Sequence, residues 1–381
     1  MSRDGQVSAA GEPGTDEDPW DLGWLGDALS GSGLAEYIGC FDLFRPRRAD
    51  WERHRGQSPE RLRPLIDLFL LSGIVPPAAL PARIRAGLGD LEALGLLREE
   101  PAGVAMAGGL AVLPVFGRWL MCHAPRANSK FYFGDDTVAL LPRLTPIAGG
   151  RCLDLCAGPG MLALHAAGIA DRVVAVEPAP DSAQLARLNA CLNRLSHRIE
   201  VLEGDLYAPV RGERFDTVIA NPPMLPVPRG FEGPTIGHGG EDGLSLTRRV
   251  LAGLPDALTP GGVAQMIGVG LSDGARPLCL AALKESAGGA LDLTVSILSH
   301  RSLRKGAPHL LALVATIAAT SAADEREVGD AYRAMLAQAG ASSLCHLFIH
   351  ARSGRGRIDV IDLSAANGDD GWRWRGLGRN V

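Results

Sequence analysis

From residue 151 onward, short runs of apolar residues alternate with longer segments whose apolar positions recur every three or four residues. RCLDL, RVVAVEP, RIEVLEGD, FDTVIANPP and VAQMIGVG read as strands. GMLALHAAGIA, DSAQLARLNACLNRL, LSLTRRVLAGLPDALTP and PLCLAALKESAG read as helices, the third ended by Pro260 and Gly261. LDLTVSILSHR and HLLALVATIA complete seven strands, the last two predicted to form an antiparallel hairpin at one edge. Strands that are apolar throughout, each followed by a helix, imply a parallel sheet covered on both faces. The chain is therefore expected to be α/β, with a doubly wound, seven-stranded, Rossmann-like sheet in a core over residues 126–320.

The pattern differs on either side of that core. Residues 1–19 carry almost nothing apolar and are expected to be a disordered tail. Over 20–125, PLIDLFLLSGIV and PARIRAGLGDLEALGLLRE have helical spacing. GVAMAGGLAVLPVFGRWLMCH is strand-like around a Gly-Gly turn. Helices followed by a small hairpin predict a helical, winged-helix-like domain. Residues 321–381 add a helix (EREVGDAYRAMLAQAG) and two strands (SLCHLFIHAR, RIDVIDL), an α/β extension expected to pack on the core.

Composition narrows the function. The chain of 381 residues is 46% hydrophobic and carries a net charge of −5, so dependence on nucleic-acid phosphates is disfavoured. The basic stretch RPRRADWERHRGQSPERLR leaves RNA contact open, although such a run is more often a solvated helix face. Seven scattered cysteines without a CxxC pair fit reduced thiols in a cytoplasmic protein, not a zinc ribbon, and no metal is expected. The first residues lack a basic segment followed by an apolar one, so no signal peptide is read; no apolar run is long enough to span a bilayer.

The candidate chemistry begins at LDLCAGPGMLALH. A strand that enters a glycine-rich turn and then a helix is the nucleotide-binding arrangement of doubly wound sheets. Asp154, Gly158 and Gly160 give D-x-x-x-G-x-G. Glu177 ends the next strand, where a carboxylate accepts both hydroxyls of a ribose; Asp205 ends the third, within reach of an adenine amino group. A dinucleotide site would carry a third glycine where Ala163 stands, and Asp154 would repel a phosphate. Asp154 suits instead a ligand with a cationic amino group and a sulfonium.

On these residues the region from about 130 to 320 resembles the class I S-adenosylmethionine-dependent methyltransferases. It is most similar to the N-methyltransferase branch of release-factor glutamine methyltransferases and small-domain methyltransferases. LDLCAGPG stands at the family's glycine motif, VEP at its ribose acid, GDL at its adenine acid, and ANPPMLP at its Asn-Pro-Pro-aromatic motif. GGEDGLSLTRRVL and LTPGG match the stretch that follows. The resemblance implies S-adenosyl-L-methionine as cofactor, held by Asp154, Cys156, Ala157, Gly158, Gly160, Glu177, Pro178, Asp205, Leu206 and Asn221. It makes Asn221 and Pro222 the catalytic pair, whose side-chain and main-chain carbonyls accept the N–H groups of the acceptor nitrogen.

Cys156 replaces the motif's first glycine, and Met224 stands where the family has Tyr or Phe. Pro223 and Met224 are expected to line the substrate side, with Tyr132, Phe133 and His238 as further candidates. For Phe131, Tyr132 and Phe133, core packing is the competing reading. Asp135, Asp136 and Thr137 either cap a helix or close over the cofactor's methionine part, and Glu241 accompanies His238. The function implied is methyl transfer to an amide, amine or guanidine nitrogen of a small molecule or a protein side chain. An RNA base methyltransferase, and a cyclase that releases methylthioadenosine, are the alternatives.

Overall fold

The computed structural model describes residues 20–42, 47–124, 129–234, 237–367 and 372. The tail predicted over 1–19 lies outside them. Along the described chain the strands are β1 (Leu97–Glu100), β2 (Gly103–Met106), β3 (Leu110–Val115), β4 (Arg118–His123), β5 (Arg151–Leu155) and β6 (Arg172–Glu177). They continue with β7 (Ile199–Glu203), β8 (Phe215–Ala220), β9 (Leu258–Ser272), β10 (Leu291–Ser302), β11 (Ser343–Ser353) and β12 (Ile358–Asp362). The chain divides into two compact units: residues up to 135 with 157–168 and 177–203, and residues 136–156, 169–176 and 204–381.

The first unit begins with short helices, including Gly23–Ser30, Ala82–Ala86 and Leu88–Ala93. They enclose Leu25, Leu29, Ile38, Trp51, Ile66, Phe69, Ile84 and Leu91, all fully buried. Two antiparallel hairpins follow, β1 with β2 and β3 with β4. The second turns at Phe116 and Gly117, both at positive φ (45° and 76°), which matches the right-handed twist of the flanking strands. The predicted Gly-Gly turn, Gly108–Gly109, instead links the end of one hairpin to the start of the next. The same unit holds the helices Met161–Ala166 and Pro180–Leu192 and strand β7.

In the second unit seven strands lie in the order β12-β10-β11-β9-β8-β5-β6. β6, β5, β8 and β9 are parallel; β11 is inserted antiparallel between β9 and β10; β12 runs parallel to β10 at the edge. The chain leaves β5 toward β6 on one side and has β8 on the other, so strand order reverses at β5. Ligands of open α/β sheets bind at such a reversal, outside the carboxyl ends of the strands.

HLLALVATIA differs from expectation. It lies in the helix Pro308–Ser321, with Pro308 in its first turn and Leu310, Leu313, Val314, Ile317 and Ala318 on a single buried face. The antiparallel neighbour of LDLTVSILSHR is SLCHLFIHARS, that is β11. Among the described residues no helix is long and apolar enough to cross a membrane.

Candidate functional site

β5 and β8 pair in parallel with Leu155 opposite Ala220, so the residues that follow each strand emerge side by side. Asp154, one residue before the end of β5, is fully buried. Cys156 follows at φ 60°. This left-handed backbone favours glycine and explains a glycine in the related motif; the thiol side chain is carried there at a conformational cost. Asn221 follows β8 directly.

The Asn221 amide has a defined orientation. Its Nδ2 donates to Asp136 Oδ2 at 3.2 Å and to Thr137 Oγ1 at 3.1 Å. A hydroxyl can donate or accept, so Thr137 alone would not choose between the two amide orientations. A carboxylate only accepts, so Asp136 holds Nδ2 toward itself and leaves Oδ1 as an outward acceptor. Asn221 Oδ1 is buried and makes no hydrogen bond among the described residues. A buried carbonyl oxygen without a donor costs about 1–3 kcal/mol. Such an atom fits an N–H donor brought by a ligand.

Beyond Asn221 the backbone is stiffened by the buried Pro222 and the half-buried Pro223, and Met224 is buried. Leu225–Val227 then pairs with 237–240: the Leu225 amide donates to Gly237 O (2.6 Å), the Gly239 amide to Leu225 O (2.8 Å) and the Val227 amide to Gly240 O (2.9 Å). This brings His238 beside Leu225, but its ring stays exposed and accepts from the Gly240 amide at 3.3 Å. Glu241 pairs with Arg229 on the surface. A Cβ on Gly243 would lie 2.7 Å from Met224 O and 2.8 Å from Val269 O, so the chain passes Met224 only because no side chain is there.

The C-terminal helices brace this loop. The buried Tyr332, on the helix Glu325–Ala339, donates its hydroxyl to Pro226 O at 2.7 Å. Ser321 exchanges hydrogen bonds with the backbone of Glu232. In the same unit Leu206 is buried at φ 48°, and the exposed Asp205 pairs with Arg249. The Tyr207 hydroxyl, raised by burial, ties that segment to Val250 O at 2.7 Å.

The first unit carries the glycine turn. Glu177 accepts the Gly158 amide on Oε2 (2.9 Å) and the Ala179 amide on Oε1 (3.1 Å). Burial raises its carboxyl above the ordinary carboxylate range, against the pull of those two amides. Each oxygen keeps a lone pair for a further donor. Ala157 is buried, and Gly158 (φ 54°) would place a Cβ with no described atom within 4 Å, so the turn borders open space. Gly160 (φ 86°) is pressed against the helix Pro180–Leu192, where a Cβ would meet Ala186 Cβ at 3.1 Å. Pro178 is exposed, Tyr132 is exposed, and Phe133 is buried. Phe131 packs on His123 with ring centroids 4.9 Å apart.

Taken unit by unit, the residues present suit parts of an adenosyl sulfonium: in the first, a carboxylate with lone pairs to spare beside a turn that borders open space; in the second, a buried acid near the end of β5 and an amide oxygen awaiting a donor. Among the described residues no group of three His, Cys, Asp or Glu could hold a metal ion.

Residues 120–269 match the family model of the methyltransferase small domain. A ribosomal protein uL3 glutamine methyltransferase of Bradyrhizobium diazoefficiens is 37% identical over 150 residues, 36% of this chain and 47% of that one. A release factor glutamine methyltransferase of Moorella thermoacetica is 35% identical over 135 residues, 33% of this chain and 48% of that one. The chain thus spans about half the length of these curated relatives. A Methanocaldococcus jannaschii protein, provisionally named a protein N5-glutamine methyltransferase, is 31% identical over 138 residues, 35% of this chain and 68% of that one. With the strand reversal at β5 and the Asn-Pro-Pro turn after β8, these matches make the chain a member of the class I S-adenosylmethionine-dependent N-methyltransferases of the methyltransferase small-domain family.

Proposed function

We propose that this protein transfers a methyl group from S-adenosylmethionine to an amide nitrogen, and that the acceptor is a glutamine side chain of a protein. The observation that carries the reading is the buried, unmatched Oδ1 of Asn221, fixed in direction by Asp136. The names of the relatives, which act on a ribosomal protein and a release factor, support the choice of acceptor.

When bound, the cofactor supplies a methyl already activated by a sulfonium, so the protein's task is alignment. An amide nitrogen is a weak nucleophile because its lone pair is delocalised into the carbonyl. Asn221 Oδ1 and the Pro222 main-chain oxygen each accept one of its N–H bonds. That fixes the rotation of the NH2 group, turns the nitrogen's face toward the methyl and stabilises the positive charge that grows as the N–C bond forms. The bound sulfonium would take back the C–S electron pair as the methyl leaves, and the methylated nitrogen would give up one proton to water. Glu177 takes the ribose hydroxyls, Asp154 answers the positive methionine end, and the turn at Gly158 lets the backbone approach closely.

Met224 favours a second reading. An aromatic at that position would stack on a planar group, whereas methionine packs on aliphatic as readily as on flat surfaces. A small-molecule amine or amide in place of a protein glutamine follows from that. Methyl-labelled cofactor with release factor, with ribosomal protein uL3, and with a small-amine panel separates the two. Label in protein, located by mass spectrometry on glutamine, supports the first reading. Label only in small molecules supports the second. Consumption of cofactor to methylthioadenosine without acceptor refutes both.

A further inference from the structure

β4 has a free edge. Its register with β3 sets Trp119 opposite Pro114 and Met121 opposite Val112. Proline has no N–H to give, and the Trp119 and Met121 amides and carbonyls are engaged by side chains elsewhere, so both pairs sit at non-hydrogen-bonded positions of the ladder. The backbone groups of Trp119 and Met121 therefore point away from β3.

Two asparagines meet them. Asn193 accepts the Trp119 amide on Oδ1 (2.9 Å) and donates Nδ2 to Trp119 O (2.7 Å). Asn189 accepts the Met121 amide on Oδ1 (2.7 Å) and donates Nδ2 to Met121 O (2.9 Å). Each side-chain amide thus replaces a peptide unit of a missing strand. The spacing allows it: four residues of helix rise about 6 Å, and two residues of strand about 6.7 Å. Asn189 and Asn193 are four apart; Trp119 and Met121 are two apart.

Asn189 does one thing more. The second hydrogen of its Nδ2 donates to Pro159 O at 2.8 Å, inside the glycine turn. The side chain is fully buried, so either partner's withdrawal would strand a polar group away from water. One turn of helix earlier, Ala186 abuts Gly160. We propose that Asn189 is a positioning residue for the cofactor turn, and that hairpin β3–β4 is thereby a working part of the cofactor site. This rests on the reading of the turn as the S-adenosylmethionine site. The hairpin holds Asn189, Asn189 holds the Pro159 carbonyl, and the turn stays in the shape the cofactor needs.

Asn189→Ala and Asn193→Ala separate this from simple packing. Both remove a rung from β4, and both should lower thermal stability. Only Asn189→Ala releases the turn. Calorimetry with S-adenosylmethionine should show a Kd raised about tenfold or more for Asn189→Ala and unchanged within about twofold for Asn193→Ala. An unchanged Kd in Asn189→Ala, or equal weakening in both, overturns the assignment. Should Asn189→Ala not fold, amide exchange on the wild-type chain decides: added cofactor should slow exchange at Trp119 and Met121 as well as at Gly160. Slowing confined to the turn overturns the proposal. A wild-type chain that binds no cofactor refutes the proposed function instead.

Discussion

Replacing Asn221 by leucine tests the catalytic role proposed for it, because the cost of the group and its proposed benefit are read separately. The side chain makes two hydrogen bonds, one to the Asp136 carboxylate and one to the Thr137 hydroxyl, and carries one buried acceptor without a donor. The bond to a charged partner contributes about 1.5–3 kcal/mol and the neutral bond about 1 kcal/mol. Against that, removing the unmatched Oδ1 regains about 1–3 kcal/mol of desolvation. The difference is a destabilisation of only about 1–2 kcal/mol, small for a polar residue at the edge of a core. In the reaction the balance reverses. Asn221→Leu leaves an acceptor N–H unmatched as charge develops on nitrogen, about 2–3 kcal/mol, or about 30- to 150-fold in kcat. Urea unfolding, cofactor calorimetry and methyl transfer to the proposed glutamine acceptor test the three parts. Stability should change little, cofactor affinity little, and turnover greatly. A loss of more than about 4 kcal/mol in unfolding free energy would make Asn221 a structural pin. Wild-type turnover would remove it from the mechanism.

Three further outcomes follow from the geometry. The Glu177 carboxyl is raised above its usual 4.5 by burial, and the ribose hydroxyls proposed to meet it would bind its ionised form. Cofactor affinity should therefore fall as pH drops toward and through that raised value, and calorimetry across weakly acidic pH should find the dependence absent in Glu177→Gln. Gly243→Ala sets a Cβ against Met224 O and Val269 O at φ 81°. A cost of about 2–4 kcal/mol is expected, read as a shifted urea midpoint; a midpoint at the wild-type value would show that the loop yields freely. His309 is lowered from 6.5 to about 4, first by burial and then by Arg301. The unfolded chain takes up that proton where the folded one does not, so stability is lost as pH falls from 6.5 toward 4, by up to about 3 kcal/mol. His309→Gln should flatten this part of the pH profile, and an unaltered acid limb would contradict the assignment.

The strand–helix alternation from β5 to β9 was legible because β5, β6, β8 and most of β9 are apolar on both faces, β7 alternates Ile199 and Val201 with glutamate, and each helix is bounded by glycine or proline. HLLALVATIA was not: its residues favour strands, and only the spacing of Leu310, Leu313, Val314, Ile317 and Ala318 marks a one-sided helix. Pro308 at its start was the overlooked signal. The antiparallel place of β11 between β9 and β10 could not be read either, since register depends on partners some 40–90 residues away. At the candidate site the motif order stands in the sequence, and so does the unusual Cys156. What the chain alone did not show is the meeting of Asn221 with Asp136 and Thr137. Those two were visible only as a helix cap or a closing segment, because they stand 85 and 84 positions before Asn221.

The late position of β11 has a consequence during synthesis. Until residues 343–353 leave the ribosome, β9 and β10 each present an unsatisfied edge, and the sheet has a gap in its interior. A nascent or prematurely terminated chain would expose two sticky borders to its neighbours on a polysome. β11 thus acts as a closing stitch, and a chain stopped before residue 343 is expected to aggregate more readily than one that includes it.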